Sequence, residues 1–219
     1  MNIVELRRYA LKPGRREDLI ELFEREFVES QEACGITLLG RYRDLDDPQA
    51  FVWFRAFESM ERRKEALQAF YKRSDAWARN RDAANDTMID SDNVLLLRPA
   101  RAHSGFHANG SRGAFAPVSI AMLPQPPDEA YVDEFERTVL PQLRAHAQNV
   151  AYFVTEPSPN TYPRLPVREG EWAFVAAGEC TTRDAMDAWH RIWRTPESLR
   201  LEAISLAAHP PIGSIGERR

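Results

Sequence analysis

The chain has 219 residues, 43% hydrophobic and 28% charged, a balance that excludes a largely disordered polypeptide. Its 29 Lys and Arg are interspersed with 33 Asp and Glu for a formal charge of −4, so neither a nucleic-acid partner nor a basic membrane-surface face is expected. No apolar run approaches the roughly 20 residues that span a bilayer, Glu5 already charges the amino terminus, and the two cysteines (Cys34, Cys180) are too few for a disulfide framework. A cytoplasmic globular protein without transmembrane anchor or secretory signal is therefore expected.

In chain order, residues 2–10 (NIVELRRYA) read as a strand ending in the turn Lys12-Pro13-Gly14. A helix follows from about Glu17 to Ala33, with Gly35 suited to its exit. Residues 36–43 and 50–57 read as strands around the turn 44–48. Ser59 can cap a helix running to about Ala84, with a break near Ser74, and NVLLLR (93–98) gives a last strand stopped by Pro99. The order is β-α-β-β-α-β, the ferredoxin-like pattern.

Residues 100–116 are rich in Gly, Ser, Ala and His and read as a linker. A second set of elements follows. A strand at 117–123 leads to a helix at 128–147 in which Pro141 should produce a kink or short break. Strands at 150–155 and 171–177 are joined by the proline-rich loop 156–170, and a helix starts near Thr181, with Thr195-Pro196 suited to capping and restarting it. The final strand is expected to be a short or irregular edge in HPPIGSIGERR (209–219).

The halves look like copies. LFEREFV (22–28) superimposes on EFERTVL (134–140) at a shift of about 112, so that Leu19, Phe23 and Phe27 correspond to Tyr131, Phe135 and Val139. Phe70, Tyr71 and Trp77 correspond to Ile192, Trp193 and Leu199 at a shift of about 122. The expected fold is α+β, with ferredoxin-like domains at 1–99 and 117–219 around the 100–116 linker. Strands FVWF (51–54), VLLL (94–97) and WAFVAA (172–177) are apolar on both sides, so each sheet needs a second cover. Burying one more Phe or Trp is worth roughly 1.5–3 kcal/mol. The two sheets of one chain, packed face to face as a barrel, supply that cover most simply; pairing with another chain is the other arrangement, and homo-oligomerisation stays open.

The opening VELRRYALKPG and the later FYKRSDAW resemble the NIPSNAP family of the dimeric α/β-barrel superfamily. The resemblance covers 2–98 and is fainter over 117–216. It implies two tandem barrel halves in a bacterial, cytosolic protein. It also implies a neighbourhood of monooxygenases needing neither metal nor flavin, decarboxylases, isomerases, and haem proteins such as chlorite dismutases and dye-decolorising peroxidases. No one reaction is assigned to the family as a whole.

There is no Gly-rich phosphate loop, HExxH, CxxC or GxSxG. His103 and His107 share the linker at a spacing open to a metal, without carboxylate support; no metal and no cofactor is expected. The first strand puts Glu5, Arg7 and Tyr9 on one face, and the third puts Trp53, Arg55 and Phe57 on one face. Arg7 and Arg55 are costly to bury alone, so they either pair with a carboxylate such as Glu5 or reach a cavity holding an anionic or carbonyl-bearing ligand. Tyr9, Arg55 and His190 are the catalytic candidates. Arg7, Tyr42, Trp53, Tyr71, Trp77 and Trp193 are the substrate-binding candidates, with Trp189 a further residue for the cavity mouth.

Three functions stay open. One is an enzyme of cofactor-independent monooxygenase or isomerase type, acting on a hydrophobic or aromatic molecule in the barrel interior. Another is a non-catalytic ligand-binding or interaction protein using the same cavity. The third is a haem-binding barrel, for which His190 is the reasonable ligand.

Overall fold

A computed structural model describes residues 2–106, 113–192 and 200–208, with the backbone alone for 200, 201 and 208. The first half runs β1 (Ile3–Leu11), α1 (Arg16–Leu22), α2 (Val28–Glu32), β2 (Thr37–Asp44), β3 (Ala50–Phe57), α3 (Met60–Gln68), α4 (Asp75–Thr87), the short β4 (Met88–Asp90) and β5 (Val94–Pro99). The second runs β6 (Phe115–Leu123), α5 (Glu129–Glu134), α6 (Leu140–Arg144), β7 (Gln148–Thr155), β8 (Trp172–Glu179), α7 (Arg183–Ile192) and β9 (Arg200–Ala208).

The helix breaks have local causes. A π turn at Phe23–Phe27 joins α1 to α2, and its counterpart Phe135–Val139 joins α5 to α6, at the segments whose sequences superimpose. Pro141 opens α6, where its missing N–H costs little. At Ser74 the backbone turns extended (φ −76°, ψ 128°) and the hydroxyl caps α4 by accepting from the Trp77 N–H, so the expected break is there.

All the ladders are antiparallel. The strands pair in the order β3-β2-β9-β6-β8-β7-β5-β1, and a further β1–β3 ladder closes the ring, with β4 attached outside it to the end of β1. The two four-stranded sheets thus face each other as expected and are also hydrogen-bonded edge to edge. Tyr42, Arg43 and Asp44 of β2 pair with Ala208, Ala207 and Leu206 of β9, and Leu97–Pro99 of β5 pair with Phe153–Thr155 of β7. Closure removes the sheet edges that would otherwise invite another chain.

The β9 ladder corrects the expectation for the last strand. The strand is the nine-residue RLEAISLAA, bonded along its length to β6, where helical continuation had been expected. HPPIGSIGERR and the Thr195-Pro196 restart lie outside the described residues.

The barrel interior is filled. Val4, Leu6, Val52, Phe54, Leu95, Leu97, Val118, Ile120, Phe153, Val175, Ile204 and Leu206 form one buried cluster from both halves, and Ala56, Ala151, Ala173 and Ala177 let the opposing strands approach. Phe106, from the segment read as linker, packs on Phe54 and Phe153 at one end (ring centroids 5.4 and 5.1 Å). The helices lie outside over two further cores, one per half. Among the described residues no helix is long and apolar enough to cross a membrane.

Candidate functional site

Alternation along β1 sends Val4 and Leu6 into the barrel and Glu5, Arg7 and Tyr9 outward, under the helices. On that outer face Glu5 is directly opposite Arg55 of β3, and Arg7 is opposite Trp53. Glu5 is 0% exposed and holds three guanidiniums: Arg7 Nη1 donates to Oε2 at 2.6 Å, Arg55 Nε to Oε2 at 2.7 Å, and Arg63 Nε of α3 to Oε1 at 2.6 Å. Burial would raise the Glu5 carboxyl, but Arg55, Arg7 and Arg63 outweigh it and hold it far below the usual carboxylate range. One carboxylate against three arginines leaves a buried cationic excess, sheathed by aromatic faces. The Arg55 guanidinium lies 5.1 Å from the Trp53 ring centroid and that of Arg7 5.4 Å from Tyr9. Arg55 Nη2 and Arg63 Nη2 are buried with no hydrogen-bond partner among the described residues.

The excess is relayed outward through two tyrosines. Arg7 Nε donates to Tyr9 Oη at 3.0 Å, and Arg55 Nη1 donates to Tyr71 Oη at 3.4 Å and to Gln31 Oε1 at 3.4 Å. Tyr9, Tyr71 and Gln31 line a cavity of about 590 Å³ between the sheet and the helices, walled by Phe23, Phe27, Trp53, Phe70 and Trp77. Each tyrosine oxygen accepts from an arginine, which leaves its own O–H to donate. Burial raises the Tyr9 phenol, and Arg7 only partly offsets this, so it keeps its proton at neutral pH.

The fourth side of the cavity comes from the other half. The loop between β7 and β8 crosses over and contributes Tyr162, Arg164 and Leu165 to the lining. It is anchored where Arg63 Nη1 donates to Asn160 Oδ1 at 3.0 Å and to Thr161 Oγ1 at 3.2 Å. Tyr162 stacks on Tyr71, with centroids 6.2 Å apart and planes 27° apart. Among the described residues the second half has no equivalent charged cluster. Interior pairs Val4–Ala56 and Val118–Ala177 set the correspondence, so Ser119 and Ala121 stand where β1 has Glu5 and Arg7, and Ala176 and Phe174 where β3 has Arg55 and Trp53. Trp189 fills that space, fully buried, and donates Nε1–H to Ser119 Oγ at 3.1 Å.

Of the residues singled out in the sequence, Tyr9, Trp53, Tyr71 and Trp77 meet at the cavity, with Arg7 and Arg55 behind it. Four expectations are corrected. The cavity lies between sheet and helices and not in the barrel interior, because apolar side chains fill the interior. Tyr42 packs against that interior, edge-on to Phe54, on the wrong side of the sheet. Trp189 is core. His190 sits on α7, which packs on β6, so it does not join Tyr9 and Arg55. Both His190 ring nitrogens are buried without a partner among the described residues, and burial pulls the ring below its ordinary value against Asp46 and Asp187. Trp193 lies outside the described residues. Arg63 and the 160–165 loop segment were missed; a charged residue on a helix and a polar loop give no sequence signal of burial. No group of His, Cys, Asp and Glu able to hold a metal occurs among the described residues.

Two four-stranded sheets closed into one ring with helices outside define a dimeric α/β barrel, here made by a single chain. The fold is shared over nearly the whole length with a candidate monooxygenase from Fusobacterium nucleatum (TM-score 0.63, 10% identity, 94% of this chain and 91% of that one). It is also shared with a candidate monooxygenase from Lactobacillus acidophilus (0.56, 13%, 94% and 93%) and with an anthrone oxidase-like protein (0.55, 9%, 95% and 92%). Residues 4–102, which include Glu5, Arg7, Tyr9, Arg55, Arg63 and Tyr71, match the NIPSNAP domain, which covers just under half of the chain. No curated protein matches the sequence.

Proposed function

We propose that the cavity of the first half binds a small, largely aromatic organic molecule with a carbonyl or phenolic oxygen at the Tyr9–Tyr71 end, and that the protein turns it over by cofactor-independent isomerase- or monooxygenase-type chemistry. The observation that carries this is the pair of tyrosine hydroxyls, each accepting from a buried arginine and each lining an aromatic cavity. Two polarised O–H donors aimed at one oxygen stabilise charge developing on it, as in an enolate or phenolate. Tyr9, still protonated at neutral pH, is the group able to return a proton. A substrate acidic enough to lose its proton to water gives the enolate without a base from the chain. Reprotonated at another carbon it is isomerised; when its carbon adds dissolved dioxygen and takes up a proton, the hydroperoxide formed loses water to leave a carbonyl, the substrate itself supplying the electrons. Oxygenation is the activity named for two of the structural neighbours and is tested first.

The experiment is calorimetric titration of the full chain with hydroxynaphthalenes, anthrones and aryl ketones, with oxygen uptake and product chromatography on each binder. Tyr9→Phe and Tyr71→Phe should each weaken binding roughly two- to tenfold, the cost of one hydrogen bond to a neutral carbonyl or phenolic oxygen. Binding unchanged in both variants would remove the reading. A second reading, a non-catalytic binding protein, is favoured by the absence of Asp, Glu or His from the described residues lining the cavity, which leaves no obvious general base. Tight binding without turnover across the panel would select it.

A further inference from the structure

The charge of the cavity lining departs from that of the chain. The protein as a whole is acidic, at −4, yet the described lining holds Lys72, Arg81 and Arg164 and no carboxylate. Arg81 has Asp82 within 3.4 Å, whereas Lys72 and Arg164 have no ion pair among the described residues. Both are exposed, which puts them at the solvent end of the cavity, while Tyr9, 7% exposed, is at its inner end. Behind the inner end the Glu5 cluster adds a further positive excess. A low-dielectric aromatic cleft with cations at both ends and no anion of its own focuses a positive potential along its length.

We propose that the ligand is an aromatic acid: its carboxylate is held at the solvent end by Arg164 and Lys72, and its carbonyl or phenolic oxygen reaches Tyr9 and Tyr71. Arg164 is then a specificity-determining residue supplied by the second half of the chain, since the loop that bears it is fixed over the cavity by Asn160 and Thr161 on Arg63. Its guanidinium suits bidentate carboxylate binding, and Lys72 adds a point charge from the first half. This deepens the proposed function, on which it rests, by naming the charge and polarity of the substrate and which end of it the second half reads.

The test uses two probes of the same shape, 6-hydroxy-2-naphthoate and its methyl ester, titrated calorimetrically into the full chain. The acid should bind roughly tenfold tighter than the ester at low salt, with the difference shrinking as NaCl rises. Arg164→Gln should weaken the acid roughly three- to tenfold and leave the ester and the melting temperature unchanged, because the side chain is exposed. Lys72→Gln should act in the same direction. Equal affinity for acid and ester, or equal weakening of both by Arg164→Gln, overturns the inference while leaving the aromatic site standing. Failure of both probes to bind, or binding indifferent to Trp53→Leu, overturns the cavity reading itself.

Discussion

Glu5 is the residue whose removal should be felt most. It is fully buried and is the shared acceptor of Arg7, Arg55 and Arg63 at 2.6–2.7 Å. Glu5→Gln keeps the shape, but it replaces a charged acceptor by an amide that turns an N–H toward guanidiniums and leaves three cations crowded without a counter-charge. Removing one partner of a buried ion pair costs about 3–5 kcal/mol, and the three contacts are coupled, so they are not summed. At 219 residues this corresponds to a fall in melting temperature of roughly 6–20 °C. The variant should also lose a signature in pH. Because the folded Glu5 carboxyl lies below its ordinary value of 4.5, its stabilisation is complete above that value and is lost as pH falls below it. Urea unfolding of both proteins from pH 7 to pH 3 should show the gap narrowing under acid. Adding Arg55→Met should make Glu5→Gln less costly, since less cation is left unpaired. A cost under about 1 kcal/mol at pH 7, or a gap independent of pH, would refute the view that this cluster is a coupled charge centre.

Gly40 lies under the Tyr42 ring, and a Cβ there would collide with the ring and its hydroxyl. Gly40→Ala should therefore cost about 1–3 kcal/mol by urea denaturation, and much less in a Tyr42→Ala background. Ser119→Ala should cost about 1–3 kcal/mol, because it leaves the buried Trp189 Nε1–H without its acceptor. With Trp189 filling the second half, calorimetry should give one aromatic ligand per chain; a stoichiometry of two would contradict that assignment. His190, held below its ordinary value by burial, resists protonation in the folded state. Stability should therefore fall as pH drops below about 6.5, and His190→Gln should flatten that part of the profile.

Much of this protein is legible in its sequence because strands and helices bury their side chains with fixed periods. The two-residue period along VELRRY by itself places Glu5, Arg7 and Tyr9 on one face. Doubly apolar strands such as FVWF and VLLL require a sheet covered on both sides, and Ser74 announces a helix break through its capping chemistry. What local pattern leaves undecided is which side of the sheet holds a cavity, since both faces of β3 read as apolar. Packing decides it: Phe54, Phe153 and the aliphatic side chains of both halves fill the barrel interior, and the cavity that Tyr9 and Tyr71 line falls under the helices beside Trp53. RLEAISLAA reads equally as helix until β6 and β2 present unpaired edges, and their hydrogen bonds make it β9. Arg63 and Asn160 look like surface residues because Arg63 finds its neighbours Glu5 and Asn160 58 and 97 positions away in the chain, and only folding brings the loop of one half onto the charge of the other.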